Sequence, residues 1–393
     1  MIGIVADDIS GAAEVGGVCQ RFGLETFVLR DVDRLECSAD VIVIDTDSRS
    51  LGAIEAGKRL SRVANQLEEL KPEWIYKKVD SVLRGNVYDE VVALGDSLGF
   101  ERALLLPANP SLGREIRNGI YYVGDCLIDE TDFAHDPEHP ARCSDVIGLL
   151  GRTTSWSVTS CRQESSIPNE GIIVGDVRNE KDLNRWASEV VKETIFPVGG
   201  SEFLAAILKS RNREADPCLW EFKRDDKNLW ISGSTSASCR YRIIDAAERG
   251  LTVVPMPASL MEIHGDECEV LRNWAERVMD SLSNFSQTIV TIGQPVSLKP
   301  EIPARLGQNL GRLSKIVLDN MPIDHLWMEG GATASFVLEE LGWKEFEVVQ
   351  EIELGVVSIR PLARSAPTVT IKPGSYEWPK GIWKRRTYKE DSS

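Results

Sequence analysis

The chain has 393 residues, 42% of them hydrophobic, and carries 61 Asp and Glu against 45 Lys and Arg, a formal net charge of −16. That length predicts two domains, each able to bury a core without disulfides or a structural metal. The acid excess argues against a nucleic-acid or anionic-membrane scaffold, so a phosphorylated ligand has to be held by a local device.

Residues 1–8 begin with a short apolar run that Asp7 and Asp8 stop, without the basic start or apolar length of a signal peptide. No membrane segment is read anywhere in the chain. The eight cysteines are scattered with no C-x-x-C pair, which predicts reduced thiols and a cytoplasmic location. Residues 2–5, 41–44, 103–106 and 172–174 are short apolar runs that read as buried strands. Between them Leu60, Val63, Ala64 and Leu67 follow the i, i+3, i+4, i+7 spacing of an amphipathic helix. This alternation predicts an α/β fold with mostly parallel sheets, and ligands at the edge where strands end. A charged, aperiodic stretch at 211–228 containing Pro217 reads as a connection, giving domains at 1–215 and 225–393. Apolar runs at 229–231, 251–254, 289–292 and 326–328 make the second domain α/β as well.

Four segments carry chemistry. In VADDISGA (5–12) a strand stops at Asp7 and Asp8 and a turn of Ser10, Gly11 and Ala12 opens a helix. Carboxylates at such a strand end can accept a proton from a hydroxyl or bind a hydroxyl pair; alternatively, one of them merely caps the helix. In IYKKVDSVLRGN (75–86), Lys77, Lys78, Asp80, Ser81, Arg84 and Asn86 crowd a dozen residues. A guanidinium suits a carboxylate, and Asp, Ser and Asn side chains order hydroxyls, while a solvated turn is the bland alternative. PANPSLGREIRNGIYYVGDCL (107–127), running on through Thr131 and Phe133 to Asp136 and Pro140, reads as a long irregular binding loop. Gly113 and Arg114 would there offer amides and a fixed cation. His135 and His139 are separated by Pro137, which forbids a shared helix face, so they read as loop histidines and not as metal ligands.

In the second half, SGSTSAS (232–238) follows a strand and precedes a helix, and EGGATASFVLEELG (329–342) repeats the arrangement. Ser234, Ser236, Gly330, Gly331 and Thr333 thus form candidate phosphate cradles, although ordinary helix capping has the same look. GAIEAGK (52–58) is a decoy: Arg59 stands where a P-loop needs Ser or Thr, and the run belongs to a surface helix. No G-x-G-x-x-G is present.

Taken together these residues resemble the four-carbon acid sugar kinase family, which phosphorylates threonate, erythronate or 3-oxo-tetronate with ATP. YKKVDSVLRGN is very similar to the family's K-K-x-D-S-T-L-R-G-N. ADDISGA, PANPSLGR, PVGGSEFLAAIL, GSTS, GGATA and LARSAPTVTIKPG follow in family order to Gly374. The resemblance implies two α/β domains with the active site in the inter-domain cleft, a sugar-acid-binding first domain and a nucleotide-binding second one. It implies a catalytic set of Asp8, Asp80 and Arg84, with either aspartate as base and Arg84 on the carboxylate. Asp7, Lys78, Ser81, Asn86, Gly113 and Arg114 would surround the acid; Ser234, Ser236, Gly330, Gly331, Ala332, Thr333 and Gly374 would face ATP. Mg²⁺ would accompany ATP with no metal site of the protein's own, no nucleic-acid or membrane partner is implied, and a homodimer is expected.

Two departures fall on the ATP side. The family's G-G-E-T-A has Ala332 in place of the carboxylate, and K-x-G-x-F-G becomes Lys372-Pro373-Gly374-Ser375-Tyr376-Glu377. They motivate an alternative, an acid-binding or regulatory protein that has lost effective ATP use. A third option is an unrelated α/β hydrolase or lyase acting through Asp7 and Asp8.

Overall fold

The computed structural model describes residues 1–30, 39–136, 138–151, 155–162, 165–216, 226–234, 237–261, 267–293, 301–379 and 382–383. The chain divides into two compact units, Met1–Pro217 and Cys218–Ser393. Part of the connection read at 211–228 lies outside the described residues.

Unit 1 contains strands β1 (Ile2–Ala6), β2 (Thr26–Leu29), β3 (Val41–Asp45), β4 (Trp74–Lys78), β5 (Arg102–Leu106), β6 (Arg114–Arg117), β7 (Ile120–Val123), β8 (Cys126–Leu127), β9 (Val158–Cys161), β10 (Gly171–Gly175) and β11 (Phe196–Gly199). Its helices are α1 (Ile9–Arg21), α2 (Ala53–Leu70), α3 (Val87–Ser97), α4 (Val146–Leu150), α5 (Glu180–Lys192) and α6 (Ser201–Ser210). The main sheet runs β2-β3-β1-β4-β11-β5-β10-β9, and these neighbours pair in parallel. Its central strands are buried on both faces, which is why β1 and β3 are continuous apolar runs. The GAIEAGK run is the first part of α2, entered from Gly52 without a phosphate-binding turn.

β4 departs from the apolar pattern, because Lys77 and Lys78 are both buried in it. Successive strand residues point to opposite faces. Lys77 meets Glu90 of α3 at 2.6 Å, and Lys78 meets Glu14 of α1 at 3.0 Å.

The segment 114–127, read above as an irregular loop, is instead a three-stranded antiparallel sheet, β6-β7-β8. The reason is a two-residue hairpin turn at Asn118 and Gly119, whose φ values of 52° and 77° are the positive pair that such turns need. Asp176 fixes the turn by accepting both of its backbone N–H groups, at 2.8 and 2.9 Å.

Unit 2 contains β12 (Asn228–Ser232), β13 (Thr252–Pro255), β14 (Gln287–Thr291), β15 (His325–Glu329), β16 (Glu345–Glu353), β17 (Val356–Pro361) and β18 (Thr368–Lys372). Its helices are α7 (Ala237–Glu248), α8 (Glu267–Asn284), α9 (Glu301–Asn320) and α10 (Gly331–Glu340). The sheet order is β13-β14-β12-β15-β18-β17-β16, parallel as far as β18 and antiparallel beyond it. Trp230 and Trp327 stack at 4.5 Å in its core, with Trp378 edge-on to both. Both units are therefore α/β with mostly parallel sheets. Among the described residues no helix is long and apolar enough to cross a membrane.

Candidate active site

Parallel pairing sets β1, β3 and β4 in register, with Ala6 opposite Asp45 on one side and Lys78 on the other. The residues that follow these strands therefore emerge together at one sheet edge. Asp7 and Asp8 come from the first, Arg49 from the second, and Asp80, Ser81 and Arg84 from the third.

Arg49 organises this edge. Its Nε and Nη2 donate to Asp7 at 2.7 and 3.0 Å, its Nη1 and Nη2 donate to Asp8 at 2.9 and 2.8 Å, and Asp80 lies 3.8 Å away. Asp8 also caps α1, accepting the Gly11 N–H at 2.8 Å and the Ser10 hydroxyl at 2.6 Å. The capping role and a place in the charged cluster thus coexist in one residue. Burial alone would raise Asp7 and Asp80. The guanidinium of Arg49 holds Asp7 below the usual carboxylate range, and Arg84 with Arg49 holds Asp80 well below it.

Arg84 grips Asp80 through Nε and Nη2 at 3.1 and 2.8 Å, and its Nη1 meets Asp136 at 3.1 Å. The ring of Phe133 lies 6.0 Å from the Arg84 guanidinium carbon and 5.6 Å from that of Arg114. Arg114 is buried and donates to the Ser81 hydroxyl, while Tyr121 donates to the Ser81 carbonyl. Gly113 precedes Arg114 with φ +68°, a left-handed turn that brings the hairpin back to Ser81.

Asp7, Asp8, Asp80, Ser81, Arg84, Gly113 and Arg114 are thus gathered within unit 1. The two other residues expected around the acid, Lys78 and Asn86, also have internal partners. Lys78 spends its ammonium on Glu14 and on the Val79 carbonyl at 3.0 Å. Asn86 donates to the carbonyls of Ser48 and Leu51 and so pins the loop that carries Arg49. Arg49 itself was not singled out from the sequence; the only available signal was an isolated cation directly after a buried apolar run.

In unit 2, Ser232, Glu329 and Lys372 end neighbouring parallel strands in register. The loops bearing Gly233 and Ser234, Gly330 and Gly331, and Pro373 and Gly374 leave the same edge. A Cβ on Gly233 would collide with the Thr333 hydroxyl, and Gly330 has φ +94°. The first turn of α10 directs its backbone N–H groups to this edge, a donor set suited to phosphate. Ser236 lies outside the described residues, and Ala332 is exposed in that first turn. Behind the loops, buried Glu329 accepts from Lys372 at 3.0 Å, from Ser232 at 3.0 Å and from Arg242. Lys372 also donates to the Pro373 and Tyr376 carbonyls, so it braces the loop and does not reach out of it. Among the described residues no His, Cys, Asp or Glu cluster forms a metal site.

The sequence model of a sugar-binding N-terminal domain matches residues 2–207, which holds the whole Arg49 edge. A 3-oxo-tetronate kinase of Actinobacillus succinogenes is 31% identical over 388 residues, 91% of this chain and 92% of its own. The chain belongs to the four-carbon acid sugar kinase family. Another member, a D-threonate kinase of Salmonella typhimurium, is 26% identical over 89% of this chain and 88% of its own length. The family fold also recurs in a solved Haemophilus influenzae protein at TM-score 0.68 and 22% identity, covering 95% of this chain and 97% of that one.

Proposed function

We propose that this protein is an ATP-dependent kinase that phosphorylates the terminal hydroxyl of a four-carbon sugar acid: threonate, erythronate or 3-oxo-tetronate. The observation that carries the reading is the convergence of Asp8, Arg49, Asp80 and Arg84 at one sheet edge of the unit matched by the sugar-binding model. Arg84 and Arg114 supply cations for the acid's carboxylate, and the aspartates and Ser81 supply partners for its hydroxyls. Phosphoryl transfer asks the protein mainly for positioning and charge neutralisation. Asp8 and Asp80, which meet at Arg49, are the two candidates to take the proton of the attacking hydroxyl. The Gly233, Gly330 and Gly374 loops suit the ATP phosphates, with the N–H groups opening α10 aimed at their charge. Mg²⁺ carried on those phosphates supplies further neutralisation of the transferring group.

A second reading, an acid-binding protein that has lost effective ATP use, is favoured by Ala332 and by the enclosure of Lys372 against Glu329. Phosphorus NMR of the protein with Mg-ATP and each acid separates the two. A new phosphomonoester resonance coupled to a CH₂ group supports the kinase. Unchanged ATP, together with thermal stabilisation by an acid and none by ATP, supports the binding protein.

A further inference from the structure

Arg84 has two differently made contacts. Its pair with Asp80 is bidentate and fixed from the backbone, since Asp80 Oδ1 also accepts the N–H groups of Val82 and Arg84 at 3.1 and 3.2 Å. Its contact with Asp136 is single and comes from a distant part of the chain. The Asp136 side chain is 18% exposed, against 8% for Asp80. A single-bonded ion pair at the more exposed carboxylate costs less to replace than the bidentate one. Asp136 keeps its place through its other oxygen, which accepts the backbone N–H groups of Glu138 and His139 at 3.0 and 2.9 Å.

Charge points the same way. The carboxylates of Asp7, Asp8, Asp80 and Asp136 share this edge with the guanidiniums of Arg49, Arg84 and Arg114, and Lys78, which also faces Asp7 and Asp8, is matched by Glu14, so that these groups hold five negative charges against four positive ones. A sugar acid adds a further carboxylate to a set already short of cations. Release of one aspartate's contact with its arginine frees a guanidinium for that addition, and Asp136 is the one whose contact is a single bond.

We propose that Asp136 occupies the place on Arg84 that the carboxylate of the sugar acid takes on binding, so that binding exchanges one carboxylate for another. This rests on the reading above that Arg84 grips the acid. The exchange makes Arg84 selective: a simple monocarboxylate gains little by displacing Asp136, whereas an acid whose hydroxyls also find partners repays it.

Isothermal calorimetry with D-threonate, D-erythronate and 3-oxo-tetronate on the wild-type protein, D136N and R84A tests this. Asn keeps an oxygen for the Glu138 and His139 N–H groups, so D136N preserves the local turn; D136S serves as a second variant, with folding checked by thermal unfolding. The expected result is binding about ten-fold tighter in the Asp136 variants and at least about ten-fold weaker in R84A. Unchanged or weaker binding in both Asp136 variants overturns the exchange. Undiminished binding by R84A, or no binding of any of the three acids to the wild type, overturns the underlying reading instead.

Discussion

Arg49 bridges two adjacent carboxylates that would otherwise repel one another at the end of a buried strand. A lysine at this position keeps the charge and loses the fork that serves Asp7 and Asp8 at once. R49K is therefore expected to lower kcat/KM for the acid by about 100-fold, roughly 2.7 kcal/mol, in a steady-state assay; a change under about three-fold would contradict this role. Asp45, beside the same edge, titrates differently. Burial pushes its carboxyl up to about 7, against the pull of Arg30, with Asp47 and Asp8 adding to the rise. A raised carboxyl contributes stability that is full below its ordinary value and lost as pH rises through about 7. The melting temperature of the wild type relative to D45N should therefore fall between pH 5 and pH 8. Taking the difference removes the opposite slope of buried His325, pushed down to about 3, which both proteins share. A pH-independent difference would show that Asp45 is not perturbed.

At the scale of elements, β4 explains both what the sequence reveals and what it hides. Strands covered on both faces are continuous apolar runs, so β1, β3, β5 and β10 are legible, as are β12, β14 and β15 in unit 2. β4 is equally central, yet Lys77 and Lys78 make it look like solvated chain, and only tertiary pairing with Glu90 and Glu14 accounts for them. The β6-β7-β8 sheet was concealed because its turn residues, Asn118 and Gly119, also read as loop. Most of the expected acid-site residues were readable because they follow strand ends locally, whereas Arg49 meets Asp7 only through the parallel pairing of β1 and β3. K77M should cost about 3–5 kcal/mol in urea unfolding by stranding Glu90, with K77M/E90Q recovering much of it; a cost under about 1 kcal/mol would mean that the pair is dispensable. In unit 2, G233A drives a methyl against Thr333. It should raise KM for ATP about ten-fold while leaving KM for the acid within about two-fold. An equal effect on both would contradict the assignment of this loop to ATP.

Across the whole molecule, the two units share one construction. Parallel strands end in register, buried cations brace the ends, and small-residue turns or charged residues follow. The chain's net charge of −16 opposes capture of an anion, so the proposed acid binding requires the arginines gathered at the unit 1 edge. On the proposed function this edge holds a four-carbon acid for phosphorylation by ATP. Coupled ADP release with Mg-ATP and threonate, erythronate or 3-oxo-tetronate, measured on the wild type and on R84A, tests it most directly. Turnover that requires one of these acids and falls at least about 100-fold in R84A is expected. ADP release that is independent of any acid, or undiminished in R84A, would contradict it.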